Sequence, residues 1–285
     1  MNKDLIMRWQ WEIKPDSAWF EWNGKELWHY RHLLLRLIRR DFLTQYQQTL
    51  LGPVWVVIQP LVTVLLYVVI FDRVVGISTD HAPPVLFYLS GIILWNLFAE
   101  SFSGSVYTFS ANAPLFSKVY FPRLIIPLSV TATHIIRFFI QFALFLGIYV
   151  FYIYKGIVSF HPLYSILALT LGVVVPAGLG LGAGLALSVF LAKYRDLTNL
   201  IQLTIRLLMF ATPVIYPLSI VPETIRRGMI LNPLTPVVEF FRFAFLGEGM
   251  FSILQLGYSL GCVAAIFIFG AVLFNKMSAK LIDVV

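Results

Sequence analysis

The chain has 285 residues, 59% of them hydrophobic and only 12% charged, with a mean hydropathy of +0.82. A soluble domain carries about 25% charged residues, so too few polar groups are present to cover one or two water-soluble domains of this length. The net charge of +7 would suit nucleic acid in a soluble protein, but its distribution along the chain points to a membrane and away from nucleic acid; the single cysteine, Cys262, excludes an intrachain disulfide and a cysteine-cluster metal site.

Residues 1–30 mix both charges with five of the seven tryptophans. No uninterrupted apolar core follows a basic start, so this segment reads as a retained cytoplasmic N-terminus and not as a cleavable signal. The stretch "RRDFLTQYQQTLLGPVWVVIQP", residues 39–60, then changes character in its middle. On a helix turning about 100° per residue, Leu34, Leu35, Ile38, Phe42 and Tyr46 share one side, and Arg36, Arg40, Thr44 and Gln47 the other, with Leu33 and Leu43 breaking the pattern. Such a helix just before an apolar run predicts an interfacial element on the cytoplasmic surface. Gly52-Pro53 would turn the chain from lying flat to crossing. A plain positive-inside anchor accounts for the same residues equally well.

Crossing the hydrocarbon core takes about 20 mostly apolar residues. Six stretches qualify: 53–72, 85–110, 124–153, 163–191, 198–218 and 251–274. Each is long enough to be a helix, and the alternating segments of about ten residues that mark a barrel are absent. The expected fold is therefore an all-α integral membrane protein with six transmembrane helices. Its parts are a cytoplasmic segment (1–52), a transmembrane domain (53–274) and a cytoplasmic tail (275–285). With both ends inside, fourteen Lys and Arg face the cytoplasm and five face outward, the remaining two lying within spans, as the positive-inside tendency favours.

Residues 219–250 are too charged to span, yet "VVEFFRFAFL" after Pro236 is strongly apolar, with Glu239 and Arg242 three apart on one helical face. A short re-entrant or interfacial helix pair on the outer side fits, because non-spanning backbone is tolerated where protein or a cavity surrounds it. An ordinary loop with a surface-lying helix is the alternative. The run "GLGLGAGLA", 178–186, contains a GxGxxA arrangement, but it lies inside an apolar span, where glycines four apart make a close-packing face.

Glu100, Arg137 and Arg206 each fall near the middle of an apolar stretch. Each costs about 2.5–3.5 kcal/mol by insertion scales, so they should face protein or water and be paired. Glu100 can pair with Arg137 or Arg206 by depth. A packing pair and a transport role are both open readings. Of the five histidines only His134 lies in a span, where a satisfied core residue is the expectation. The aromatic excess (25 Phe, 13 Tyr, 7 Trp) would suit sugar-stacking platforms as well as lipid-facing packing. There is no phosphate loop, no HExxH, no His/Cys metal spacing and no internal repeat of the kind many secondary transporters show.

Taken together, "RRDFLTQYQQTLLGPVWVVIQPL", "PPVLFYLSGIILWNLFAESF", "KVYFPRLIIPLS", "KYRDL" and "NPLTPVVEFFRF" closely resemble the permease subunit of ABC exporters for O-antigen, capsular polysaccharide and related lipid-linked glycans. The matches run in order from about residue 25 to 275. The resemblance implies a homodimer in the bacterial inner membrane working with two copies of a separate ATPase subunit. ATP and magnesium would be bound by that partner, this chain holding no cofactor and catalysing no reaction. It also implies a lipid-linked polysaccharide substrate and a channel at the dimer interface lined largely by the first and fifth spans. Mapped onto this sequence, ATPase contact falls on Arg39, Arg40, Asp41 and Tyr46, on Lys118, Tyr120 and Arg123, and on Lys193, Tyr194, Arg195 and Asp196. Candidate pore aromatics are Tyr67, Phe71, Phe210 and Tyr216. A permease for a smaller lipid or drug shares the six-span plan. An integral-membrane transferase acting on lipid-linked sugars is the competitor from another class, and the converging carboxylates or histidines it needs are not evident.

Overall fold

A computed structural model describes residues 24–109, 111–112, 121–158, 161–194 and 196–281, all in helices and connecting turns, with no strand among them. A short helix α1 (Gly24–His29) leads into α2 (Arg31–Tyr46). Gln48 and Gly52 then take left-handed backbone, and Pro53 occupies the first turn of a 3₁₀ segment, Gly52–Val54. This is the corner expected at Gly52-Pro53: glycine supplies the positive φ without steric cost and proline gives up only an N–H that has no helical partner there. The first span follows as α3 (Trp55–Tyr67), continued by π-helical turns over Val68–Val74.

The bundle is completed by α4 (Pro84–Val106), α5 (Ile125–Tyr154), α6 (Pro162–Lys193), α7 (Leu197–Ala211), the pair α8 (Glu223–Ile230) and α9 (Thr235–Leu246), and α10 (Ile253–Leu281). Five helices are long and apolar enough to cross a membrane, and the bent pair α8–α9, with 99° between its halves, makes a sixth if counted as one span. The stretch predicted as the fifth span (198–218) is helical only as far as Ala211. Pro213 disfavours the α conformation at the residue before it, and Thr212 is extended (φ −108°, ψ 138°). Residues 212–218 instead tuck their apolar side chains, Val214 and Ile215 among them, into the bundle.

The centre is α4, which is largely buried, whereas most of the first span is not. Helix α6 packs along α4 on one side and α10 on the other. Its glycines explain how. A Cβ on Gly180 would lie 2.7 Å from the Phe98 carbonyl oxygen, and one on Gly184 2.8 Å from that of Phe102, both on α4. Gly178 and Gly182 turn the other way, where a Cβ would come within 2.7 Å of Val263 Cγ1 and of Phe267 Cα on α10. The glycine run is thus two small-residue faces interleaved on one helix, each admitting a neighbouring backbone.

The second half of the bent pair is not a surface-lying helix: every α9 residue except Phe243 is buried. Phe241 and Phe245 of α9 meet a ladder of stacked rings on α5, Phe138, Phe142, Phe145 and Tyr149, with centroids 5.4–6.2 Å apart. Much of the aromatic excess is therefore core. Trp95, Phe98 and Phe102 of α4 are also buried and line no open surface.

Candidate functional site

Two regions gather the residues singled out by sequence. The first lies where α2 meets the start of α5. Leu37 of α2 is buried against Phe121, Ile125 and Ile126, with Leu27, Tyr30, Leu33 and Leu34 around them. One end further on, the Arg137 guanidinium sits 5.6 Å from the centroid of the Tyr46 ring. From Ile125 to Arg137 is about 18 Å of helix at 1.5 Å per residue, and from Leu37 to Tyr46 about 13 Å. Helix α2 therefore runs lengthwise beside the first three turns of α5, in the same direction, and does not simply lie across its end. The inward face is centred on Leu37, one position away from the stripe the periodicity favoured, and Leu35 is 60% exposed. Cross-helix packing, which selects Leu37 and releases Leu35, is not encoded in the local repeat.

Arg39 and Arg40 point to solvent. Arg40 pairs with Asp41 through Nε and Nη2, both on Oδ1, at 2.9 and 2.7 Å. Asp41 and Tyr46 turn toward the bundle, and the second Asp41 oxygen, Oδ2, is buried without a hydrogen-bond partner among the described residues. Burial pushes the Tyr46 phenol above its usual pKa, opposed by the nearby Arg137 charge. Arg123 is half-buried just ahead of α5, while Lys118, Tyr120 and Arg195 lie outside the described residues. In the turn between α6 and α7, Lys193, Tyr194 and Asp196 are exposed, the Lys193 ammonium 5.2 Å from the Tyr194 ring.

Behind Tyr46 the pairing of Glu100 is decided. Its Oε2 accepts a hydrogen bond from Arg137 Nη1 at 3.0 Å and lies 3.0 Å from His134 Nδ1. Three of the groups flagged by position, on α4 and α5, thus form one cluster. It faces an open cleft of about 330 Å³ lined by Glu100, Ser103, Gly104, Tyr107 and His134. The spacing of His134 and Arg137, three apart on one helix, is the signal that could have joined them to Glu100. Arg206 takes no part.

The second region lies on α3 and α7, toward the other end of the bundle. Tyr67 packs edge-on against Phe71 at 5.4 Å and against Tyr88 of α4 at 6.0 Å, and its hydroxyl lies 3.9 Å from Met209 Sδ of α7. The next residue, Phe210, is 59% exposed. The Tyr216 hydroxyl donates to the Phe210 carbonyl and approaches Met229 Sδ at 3.7 Å. Tyr67 thus meets α7 at Met209, and Tyr216 is tied to the backbone of Phe210; Tyr67, Phe71 and Tyr216 are half-buried against the core, and Phe210 is largely exposed. Beside them α3 leaves Val62, Leu65 and Leu66 exposed, and its π-helical continuation Val69 and Ile70.

Beneath Tyr216 sits the pair that the spacing puts on one helix face. Arg242 and Glu239, both about 1% exposed, face each other at 3.3 Å. Arg242 Nη2 also donates to the Val214 carbonyl at 2.8 Å, and its guanidinium stacks 3.7 Å over the Phe87 ring. Glu239 Oε2 accepts the Met250 N–H at 2.9 Å. One ion pair thereby supplies partners for backbone on both sides of α9, which an irregular segment inside an apolar bundle requires.

Among the described residues no group of three or more His, Cys, Asp or Glu is placed to hold a metal ion. The family described as ABC-2 type transporter matches residues 32–246. The chain is 27% identical over 223 residues to the O-antigen export system permease protein RfbA of Myxococcus xanthus, covering 78% of this chain and 83% of that protein. It is 26% identical over 253 residues to the protein of the same name from Klebsiella pneumoniae, covering 88% and 94%. It is 23% identical over 226 residues to the polysialic acid transport protein KpsM of Escherichia coli, covering 75% and 83%. A helical bundle with this apolar surface, matched over most of its length, belongs to the ABC-2 type transporter family as a non-catalytic membrane permease subunit.

Proposed function

We propose that this chain forms half of the channel of an ATP-driven exporter that moves a lipid-linked polysaccharide of the O-antigen or capsule type across the bacterial inner membrane. The observation that carries the reading is one open side of the bundle, where two elements meet through aromatic and sulfur contacts. Helices α3 and α7, joined through Tyr67 and Met209, leave an aromatic and aliphatic wall unfilled by the chain itself. Two copies related by a twofold axis would close a conduit between these walls, with Tyr67, Phe71, Phe210 and Tyr216 offering ring faces to sugars. The names of the relatives, which refer to O-antigen export and polysialic acid transport, support a glycan as cargo over a small lipid or drug.

Work would enter from two copies of a separate ATPase docking at the cytoplasmic end. Arg39 and Arg40, the loop containing Lys118, Tyr120 and Arg123, and the Lys193–Asp196 turn form its contact surface. Force would pass through α2, whose packing along α5 and contact with the Arg137–Glu100 cluster make it a stiff lever on two spans. Both termini would face the cytoplasm. The test is glycan export by this chain co-expressed with its ATPase. Export should stop with a catalytically dead ATPase and survive dissipation of the proton gradient; the opposite pattern would overturn the proposal and favour an ion-driven relay through the Glu100 cluster.

A further inference from the structure

Three arginines lie within the apolar helices, and two of them have carboxylate partners: Arg137 has Glu100 and Arg242 has Glu239. Arg206 has none among the described residues, and it is exposed on α7 within a 15-residue apolar helix. It follows Gln202 by four positions and precedes Met209, the residue touching Tyr67, by three. At about 100° per residue, Asn199, Gln202 and Arg206 fall within roughly 60° of one another, all exposed. The adjoining arc carries Leu200, Leu203 and Leu207, 58%, 52% and 60% exposed. One exposed surface of α7 is therefore split lengthwise into a leucine edge and a polar edge.

Lipid or a neighbouring helix can cover the leucine edge. The polar edge cannot face lipid without the cost of an unpaired guanidinium, about 2.5–3.5 kcal/mol, and it carries two primary amides besides. A guanidinium offers a planar fork that fits a phosphate or carboxylate through two parallel hydrogen bonds, and the amides beside it can donate to and accept from hydroxyls. We infer that Asn199, Gln202 and Arg206 form an oxyanion subsite on the conduit wall, taking a phosphate or carboxylate of the exported glycan, with Arg206 as the anion-binding group and the amides holding neighbouring hydroxyls. This rests on the channel reading above for its cargo, but not for its geometry.

The test uses the full chain with its ATPase in lipid nanodiscs, in a Cys262→Ser background. Gln202→Cys should react with a charged, water-soluble thiol reagent; an unreactive cysteine there overturns the inference. Three probes then read the subsite: geranylgeranyl diphosphate for a phosphate at the lipid end, tetragalacturonate for carboxylates along the chain, and neutral maltotetraose. At least one anionic probe should bind Arg206→Gln more weakly by about tenfold or more, the loss of one charge-assisted hydrogen bond, while maltotetraose is unchanged. Which probe responds identifies the source of the anion. Equal binding of both anionic probes to wild type and Arg206→Gln overturns the subsite. So does a dimer that falls apart in Arg206→Gln with probe binding intact, because the counter-ion is then a carboxylate of the second copy. Failure of ATP-dependent export with the probe results intact would remove the channel reading and leave the anion subsite standing.

Discussion

Replacing Arg242 by methionine isolates what holds the bent α8–α9 pair in place. Methionine approximates the length of the side chain and can still lie over Phe87, so the change removes charge and donors more than volume. Glu239 is then left at about 1% exposure with its charge partner gone and only backbone N–H groups, those of Met250 and Leu218, to serve it. The Val214 carbonyl loses its 2.8 Å donor. Breaking a buried pair from one side costs about 3–5 kcal/mol, chiefly the desolvation of the charge left behind. At roughly 2 °C per kcal/mol for a chain of this size, the unfolding midpoint of the purified protein should fall by about 6–10 °C. Glu239→Gln added to Arg242→Met removes the stranded charge while keeping an acceptor for Met250, and should recover more than half of the loss, since a pair replaced as a whole is often close to neutral. Differential scanning fluorimetry in one detergent across the three proteins reads both quantities. An unchanged midpoint in Arg242→Met, or a double variant no more stable than the single, would show that the pair is not what anchors α9.

The interleaved glycine faces predict a position-specific response along α10. A Cβ on Gly270 would be driven into the Gly182 carbonyl, whereas Gly257 and Gly261 have nothing within 4 Å. Gly270→Ala should lower stability by about 1–3 kcal/mol through forced separation of α6 and α10, with Gly257→Ala and Gly261→Ala near neutral in the same thermal assay. For the lever, Leu37→Glu places a charge against Phe121, Ile125 and Ile126. It should leave membrane levels by immunoblot close to wild type and reduce surface glycan about tenfold, the effect of displacing one helix contact worth about 1.4 kcal/mol; wild-type surface glycan would refute a mechanical role for α2.

Composition and hydropathy alone determined that this is an all-α membrane protein, where most of its helices lie, and which polar residues are anomalous within them. Those properties follow from bilayer thickness and backbone hydrogen bonding, and they depend on local sequence only. The corner at Gly52-Pro53, the glycine faces of α6 and the Glu239–Arg242 spacing were legible for the same reason. The end of α7 was also written locally, in Pro213, but an apolar run to residue 218 masked it. Three-dimensional packing decided the rest. It chose Arg137 over Arg206 as the partner of Glu100, because pairing depends on which helices touch and hydropathy does not record neighbours. It rotated α2 onto Leu37 and laid it along α5, and it assigned Phe138, Phe142 and Phe145 of α5 and Phe240, Phe241 and Phe245 of α9 to the core while leaving Phe139, Phe151 and Phe210 exposed. A bilayer makes every apolar face of a helix equally acceptable to lipid, so only the contacts among helices could sort the buried faces from those left open, the face on α3 and α7 among them.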